Sequence, residues 1–342
     1  MSSLDIIVPC YRYGRYLREC VTSLLTQSFR NIRVVIINDA SPDRTADVAS
    51  DLLRQDSRVS YIEHSKNKGH IYTYNEGIEW VSADYLLLLS ADDYVLPGAL
   101  QRAVTLMELH PEVGLAFGNA FEIDEQGRQT VTNCVPCRDI DRVLSGLEFI
   151  LLSGARNIVP TPTAVVRTAL QKKVGGYRAE LPHAADMELW FRLAANSSVG
   201  FITVPQAVYR RHASNMSLSY AGQSYLLDFT QRKAALNCFF ESCHALLPKY
   251  GQVRRRMFSS LAIDAVACAS TAFNNGNSAL MSELLTFALE TSSSAKFSPA
   301  WVKLASKRIV GLKAWQMLSS GRLERATNGC HDPRDTVSES TQ

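Results

Sequence analysis

Two adjacent carboxylates, Asp92 and Asp93, close an apolar run over residues 85–91. The run is short and is bounded by Ala83-Asp84 before it and Pro97-Gly98 after it, so it reads as an interior strand of a parallel sheet. Ligands of open α/β sheets gather at the carboxyl ends of such strands. Carboxylates at that edge suit a hard divalent cation, Mg²⁺ or Mn²⁺, bridging the protein to phosphates. The plainer reading of the same dipeptide is a cap for a helix opening after Pro97-Gly98. The residues found elsewhere decide between the two.

Asp39 stands at the end of a second apolar run, in Asn38-Asp39-Ala40-Ser41-Pro42-Asp43-Arg44-Thr45. At a strand's carboxyl end it can accept a hydrogen bond from a pyrimidine N3–H or a ribose hydroxyl and so select a nucleotide. Asp43 and Ser41 have the residue types of helix caps. The first strand ends at Val8-Pro9-Cys10-Tyr11, where a strand-to-helix turn offers backbone amides and Tyr11 can stack on a base. A GxGxxG turn is missing, which disfavours a nicotinamide or flavin dinucleotide fold.

These groups need a scaffold that brings strand ends together. Strand-like runs at residues 4–9, 32–38, 58–63 and 85–90 alternate with helical segments at 15–26, 45–54 and 71–81, which predicts parallel strands with right-handed crossovers. Beyond Pro97 the pattern loosens: a strand and tight turn over 113–127, a helix over 187–195, and short strands at 200–204 and 207–210. From Leu226 the pattern is helical, with breaks near Pro248, at 274–277 and at 292–299. The expected organisation is an α/β domain over residues 1–220, a helical region over 221–326, and a tail over 327–342 too polar to fold.

Composition agrees with a globular protein: of 342 residues 46% are hydrophobic and 20% charged, with a net charge of +3 concentrated after Tyr220. Nothing resembles a nucleic-acid module. The start of the chain lacks a signal-peptide pattern and no apolar stretch reaches membrane-spanning length, so a cytoplasmic location is expected. The eight cysteines are scattered without a disulfide framework. Cys134 and Cys137 form a CxxC pair, but no second pair stands at zinc-finger spacing, and reduced cysteines are expected.

Taken in order, residues 6–11, 23–28, 38–45, 67–69, 75–77 and 89–97 resemble the family 2 inverting glycosyltransferases of GT-A fold. The resemblance covers residues 1–220. It implies an α/β fold of GT-A type, with a doubly wound, mostly parallel sheet and a helical C-terminal appendage. It extends to His183-Ala184-Ala185-Asp186-Met187-Glu188, similar to the family's acidic motif, and to Tyr209-Arg210-Arg211-His212, similar to its tyrosine, arginine and histidine segment. The implied roles are Asp186 as catalytic base, Asp92, Asp93 and His212 as ligands of Mg²⁺ or Mn²⁺, and Pro9, Tyr11, Asp39, Ser41 and Lys68 as the nucleotide site. Helix capping for Asp186, and a surface charge for Glu188, are the structural alternatives.

The implied reaction moves a sugar from a nucleotide diphosphate donor, UDP-linked, to a hydroxyl of a glycan or lipid-linked saccharide in surface polysaccharide synthesis. The sequence departs from the family pattern at Ser90, Asn38, Arg12, Tyr74 and Ala185. Ser90 and Ala185 keep a non-catalytic GT-A scaffold open as an alternative, and a sugar nucleotidyltransferase would use a similar sheet and metal. Trp301, Leu304, Ile309, Leu312 and Trp315, beside Lys303, Lys307 and Lys313, are compatible with a peripheral contact at the cytoplasmic membrane face. The alternative is a helix packed on its own domain.

Overall fold

A computed structural model describes residues 2–132, 134–135, 141–213, 215 and 225–315. Its core is a sheet with the order β3-β2-β1-β4-β9-β6-β10-β5. The first four strands are β1 (Leu4–Cys10), β2 (Ile32–Asn38), β3 (Val59–Glu63) and β4 (Tyr85–Leu88). They run parallel, as the alternation of apolar runs and helical segments predicts. The largely apolar runs of β1, β2 and β4 reflect burial on both faces. Leu4, Ile6 and Val8 of β1 pack with residues of α1 (Gly14–Leu25), α2 (Thr45–Gln55) and α4 (Ala99–Leu109). Ile7 points the other way, against α3 (His70–Trp80), where a Cβ added to Gly77 would lie 2.3 Å from Ile7 Cγ2. Each such side chain withdrawn from water contributes about 1.5–3 kcal/mol.

The chain steps from β1 outward to β2 and β3, then returns to place β4 on the other side of β1. That reversal is a topological switch point, and a crevice opens there above the carboxyl ends of the strands. The register aligns the ends: Cys10 pairs with Asn38, and Ile7 with Leu88. Pro9, which cannot donate, stands beyond the end of the β1–β4 ladder, and its carbonyl accepts from Ala91 N–H at 3.3 Å.

The remaining strands are β5 (Tyr94–Val95), β6 (Val113–Asp124), β7 (Gln129–Val131), β8 (Arg142–Leu144), β9 (Val165–Arg167) and β10 (Ser198–Arg211). β9 is antiparallel to both β4 and β6, while β6 and β10 are parallel. The two short strands expected at 200–204 and 207–210 are one strand, β10, with a register shift between Ile202 and Ala207. The polar break at Thr203 and Gln206 marks an irregularity within the strand and not a turn. The end of β10 runs antiparallel to β5, which follows Asp93 directly. Two further helices, α5 (Gly146–Ser153) and α6 (Thr168–Val174), precede α7 (Ala185–Asn196), and α8 (Tyr225–Cys243) packs on α7.

Contacts divide the chain into two units, Met1–Phe258 and Ser259–Gln342. The boundary expected near Tyr220 and the polar tail lie outside the described residues. In the second unit the helix Pro299–Val310 buries Leu304 and Lys307, whose Nζ donates to Ser270 Oγ at 2.7 Å and to Asn274 Oδ1 at 2.9 Å. Val302 and Ile309 are exposed. Among the described residues no helix is long and apolar enough to cross a membrane.

Candidate active site

The loops after β1 and β2 are tied to one another. Ser41 Oγ accepts from Arg12 N–H at 3.1 Å, and Asn38 Oδ1 accepts from Ser41 N–H at 2.9 Å. Asp43 bridges two helix starts, accepting from Gly14 N–H and from Thr45 N–H, each at 3.1 Å. Gly14 permits this approach, since a Cβ there would meet Thr45 N at 2.8 Å. Arg12 and Ala40 adopt positive φ (64° and 56°), conformations uncommon for residues with a side chain and concentrated at functional loops. Tyr11 is 37% exposed, with the Arg12 guanidinium 5.1 Å from its ring centroid.

Asp39 is buried, and three donors hold it. Oδ1 accepts from Lys68 N–H at 2.7 Å and lies 2.7 Å from His64 Nδ1, while Oδ2 accepts from Gly69 N–H at 2.9 Å. Gly69 has φ +86°, a turn that glycine makes without strain. Lys68 therefore reaches Asp39 through its backbone, and its Nζ goes instead to the Tyr72 hydroxyl at 3.2 Å.

Asp92 is held by groups from a distant part of the chain. The β5–β10 pairing brings the end of β10 alongside, where Asp93 Oδ1 accepts from Arg210 N–H at 3.0 Å and the Asp92 carbonyl accepts from Arg210 Nη1 at 2.6 Å. His212 Nε2 then lies 3.2 Å from Asp92 Oδ2. Asn215 clips this segment: its Oδ1 accepts from His212 N–H and its Nδ2 donates to the Arg210 carbonyl at 3.0 Å and to Asp92 Oδ2 at 3.4 Å. The His212 ring stacks on Tyr16 with centroids 5.3 Å apart. Burial, and then the Asp92 charge, push the Asp93 carboxyl well above its ordinary range.

Asp186 is the second residue of α7, which opens at Ala185, so it sits inside the first turn and does not cap the helix. Its Oδ1 accepts from Met187 N–H and its Oδ2 from Asn157 Nδ2, both at 2.7 Å. Desolvation raises its pKa; the hydrogen bonds from Met187 and Asn157 and the nearby His183 oppose that shift without cancelling it. The alternative of a surface charge for Glu188 does not hold. It is fully buried, with both oxygens 2.8 Å from Arg192 Nε and Oε1 2.9 Å from Arg178 Nε. Arg192 also donates to the carbonyls of Val174 and Gly176, each at 2.6 Å, so this carboxylate anchors the helix.

An open cleft of about 950 Å³ has Asp92, Asp93 and Asp186 on its walls, with Tyr13, Tyr74 and Asn157. Burial and the Asp92 charge keep the Tyr13 and Tyr74 phenols protonated well past their ordinary range, so both present hydroxyl donors there. His212 stands behind Asp92, and Pro9, Tyr11, Asp39, Ser41 and Lys68 occupy the neighbouring strand ends and loops and are not part of the cleft's walls. Among the described residues no three His, Cys, Asp or Glu side chains form a metal cluster. Asp92 Oδ1 and His212 Nδ1 are nevertheless buried without a hydrogen-bond partner. The orphaned Asp92 oxygen, with the His212 Nε2 nitrogen 3.2 Å from its other oxygen, fits a divalent cation that takes its other ligands from phosphate and water. Cys134 Sγ donates to Thr132 Oγ1 at 3.3 Å, and Cys137 lies outside the described residues.

Residues 5–156 match the model of glycosyl transferase family 2. Over that stretch the chain is similar to family 2. An uncharacterized glycosyltransferase of Rickettsia typhi is 24% identical over 219 residues, 63% of this chain and 67% of the relative. The fold is GT-A. Staphylococcus aureus TarS 1–349, solved with UDP-GlcNAc, aligns with a TM-score of 0.54 at 18% identity, covering 88% of this chain and 79% of that one. The mannosyltransferase PcManGT of Pyrobaculum calidifontis, solved with GDP-Man and Mn²⁺, aligns at 0.52 and 15% identity, covering 97% and 88%. Neither His64 nor Asn157 is among the candidates read from the sequence. His64 follows the third strand at the same sheet edge as Asp39, a position that could have drawn notice; Asn157 carried no signal in the sequence.

Proposed function

We propose that this glycosyltransferase moves a sugar from a UDP-linked donor to a hydroxyl of a glycan or lipid-linked saccharide, with inversion at the anomeric carbon. The observation that carries this reading is the placing of Asp92 and Asp186 on the walls of one cleft, the first beside His212 and the second on a helix start. Asp39 reads the base, with Tyr11 packing on it and Pro9, Ser41 and Lys68 shaping the loops around it. Asp92 and His212, with Asp93 adjacent, would hold Mg²⁺ or Mn²⁺. When bound, such an ion supplies positive charge against the diphosphate leaving group.

Asp186 takes the proton of the acceptor hydroxyl as its oxygen attacks the anomeric carbon and the bond to the diphosphate oxygen breaks. One displacement inverts configuration and requires one base. The raised pKa of Asp186 makes it a stronger proton acceptor than an ordinary surface carboxylate. The family's common roles support a place in surface polysaccharide synthesis, at the cytoplasmic face of a membrane that the exposed Val302, Lys303 and Ile309 would touch peripherally.

The test is a product assay with UDP-sugars, Mn²⁺ and a saccharide acceptor. Release of UDP together with a glycosylated acceptor supports the reading. Release of pyrophosphate from a sugar phosphate and UTP would make the protein a nucleotidyltransferase, and binding without either product would make it a scaffold.

A further inference from the structure

His64 is almost fully buried at the end of β3, and it has a carboxylate oxygen at each ring nitrogen: Asp39 Oδ1 at 2.7 Å from Nδ1 and Glu76 Oε2 at 2.5 Å from Nε2. An ionised carboxylate can only accept, so Nδ1 is the donor to Asp39. Glu76 comes from α3 and its side chain is 27% exposed, so the chain Asp39–His64–Glu76 runs from the buried strand end toward solvent. The Tyr72 ring meets His64 edge-on at 5.8 Å. With these partners the imidazole has no freedom to turn.

A carboxylate oxygen offers two acceptor positions. Oδ1 of Asp39 spends both, on Lys68 N–H and on His64 Nδ1–H, whereas Oδ2 spends one, on Gly69 N–H. One position remains, on Oδ2. A uracil or thymine imide presents a single N–H and matches it. Guanine presents N1–H and N2–H side by side, a pair that engages a carboxylate through both oxygens and would leave one donor unpaired here, at a cost.

We propose that His64, braced by Glu76, is a positioning residue that reduces Asp39 to a single free acceptor and so selects a uridine-type over a guanosine-type nucleotide. The proposal rests on Asp39 as the base-reading residue and adds the device that sets its selectivity.

The experiment measures UDP and GDP binding calorimetrically, with Mn²⁺, on the full chain and on four variants, with a melting curve for each. The wild-type chain binds UDP more tightly than GDP. His64→Leu lowers UDP affinity on the order of tenfold and shrinks the UDP:GDP ratio, because one of the two acceptor positions of Oδ1 is released while Lys68 N–H keeps the other. His64→Asn, whose side-chain amide can donate from near the Nδ1 position, restores much of the ratio. Glu76→Leu, at a partly exposed site, moves the ratio in the same direction by less and serves if His64→Leu does not fold. A folded His64→Leu or Glu76→Leu that loses thermal stability but keeps the wild-type ratio would make the triad merely structural and overturn the proposal. Wild-type affinity for GDP equal to that for UDP would overturn it too. The fourth variant separates the two claims: Asp39→Ala with unchanged UDP affinity removes the base-reading role and the proposal with it. Loss of UDP binding in Asp39→Ala alongside an unchanged ratio in the other variants removes the proposal alone.

Discussion

Asp92 and Asp186 face the same cleft but are held by opposite means. Asp92 is assembled: its side chain depends on His212 and Asn215, more than a hundred residues away, delivered by the antiparallel pairing of β5 with β10. Asp186 is delivered by its own helix: Met187 N–H and a single amide, Asn157, are its partners, and the helix beneath it is pinned by Glu188 and Arg192. An assembled carboxylate keeps orphaned polar atoms ready for a ligand that completes it, whereas a locally held one keeps a tuned proton affinity. Perturbations should therefore fall on binding at the first and on turnover at the second.

The largest effect is expected beneath Asp186. Glu188→Ala leaves Arg192 and Arg178 without their buried partner and should destabilise the fold by about 3–5 kcal/mol, seen as a lowered midpoint in thermal or urea unfolding. Unchanged unfolding would mean that Glu188 does not anchor α7. Next comes Asp92→Asn, which should weaken Mn²⁺-dependent donor binding by more than the roughly 10–100-fold that loss of an outer partner costs, with the melting temperature preserved. Asn215→Ala should fall within that 10–100-fold range, because it removes the clip on His212 and not a ligand. Calorimetry with and without Mn²⁺ ranks the two, and equal losses would dissolve the distinction between ligand and clip.

The smallest effect is a shift in pH dependence. With Asp186 as the proposed base, transfer requires its ionised form, so activity should be lost as pH falls through its folded-state pKa, which desolvation raises. The Asn157 hydrogen bond favours the ionised form. Asn157→Ala should therefore move the acid limb of the kcat/KM profile to higher pH. A limb that stays in place would detach Asn157 from the base.

The first half of the fold is legible because parallel strands buried on both faces write themselves as largely apolar runs, and residues 4–10, 32–38 and 85–88 do so apart from the paired Asp5 and Arg33 and the terminal Asn38. The irregular β10 was read as two pieces, since Thr203 and Gln206 look like a turn in one dimension while the strand absorbs them as a register shift. Among the site residues, Asp39 and Asp92 stand at strand ends where periodicity points. Glu188 could not be assigned from its neighbours, because its burial depends on Arg178 and the 174–176 loop folding back over α7. His64 too follows a strand end, but its partner Glu76 comes from α3, and the meaning of Asn157 comes only from Asp186 across the fold.

The central claim is that Asp186 is the base, and Asp186→Asn tests it most directly. The change is nearly isosteric, and an amide cannot take the acceptor's proton. Single-turnover transfer from a UDP-sugar should fall on the order of 10²–10⁴-fold, with donor affinity and melting temperature close to those of the unaltered chain. Near-normal transfer by folded Asp186→Asn would contradict the account and place the base elsewhere in the cleft.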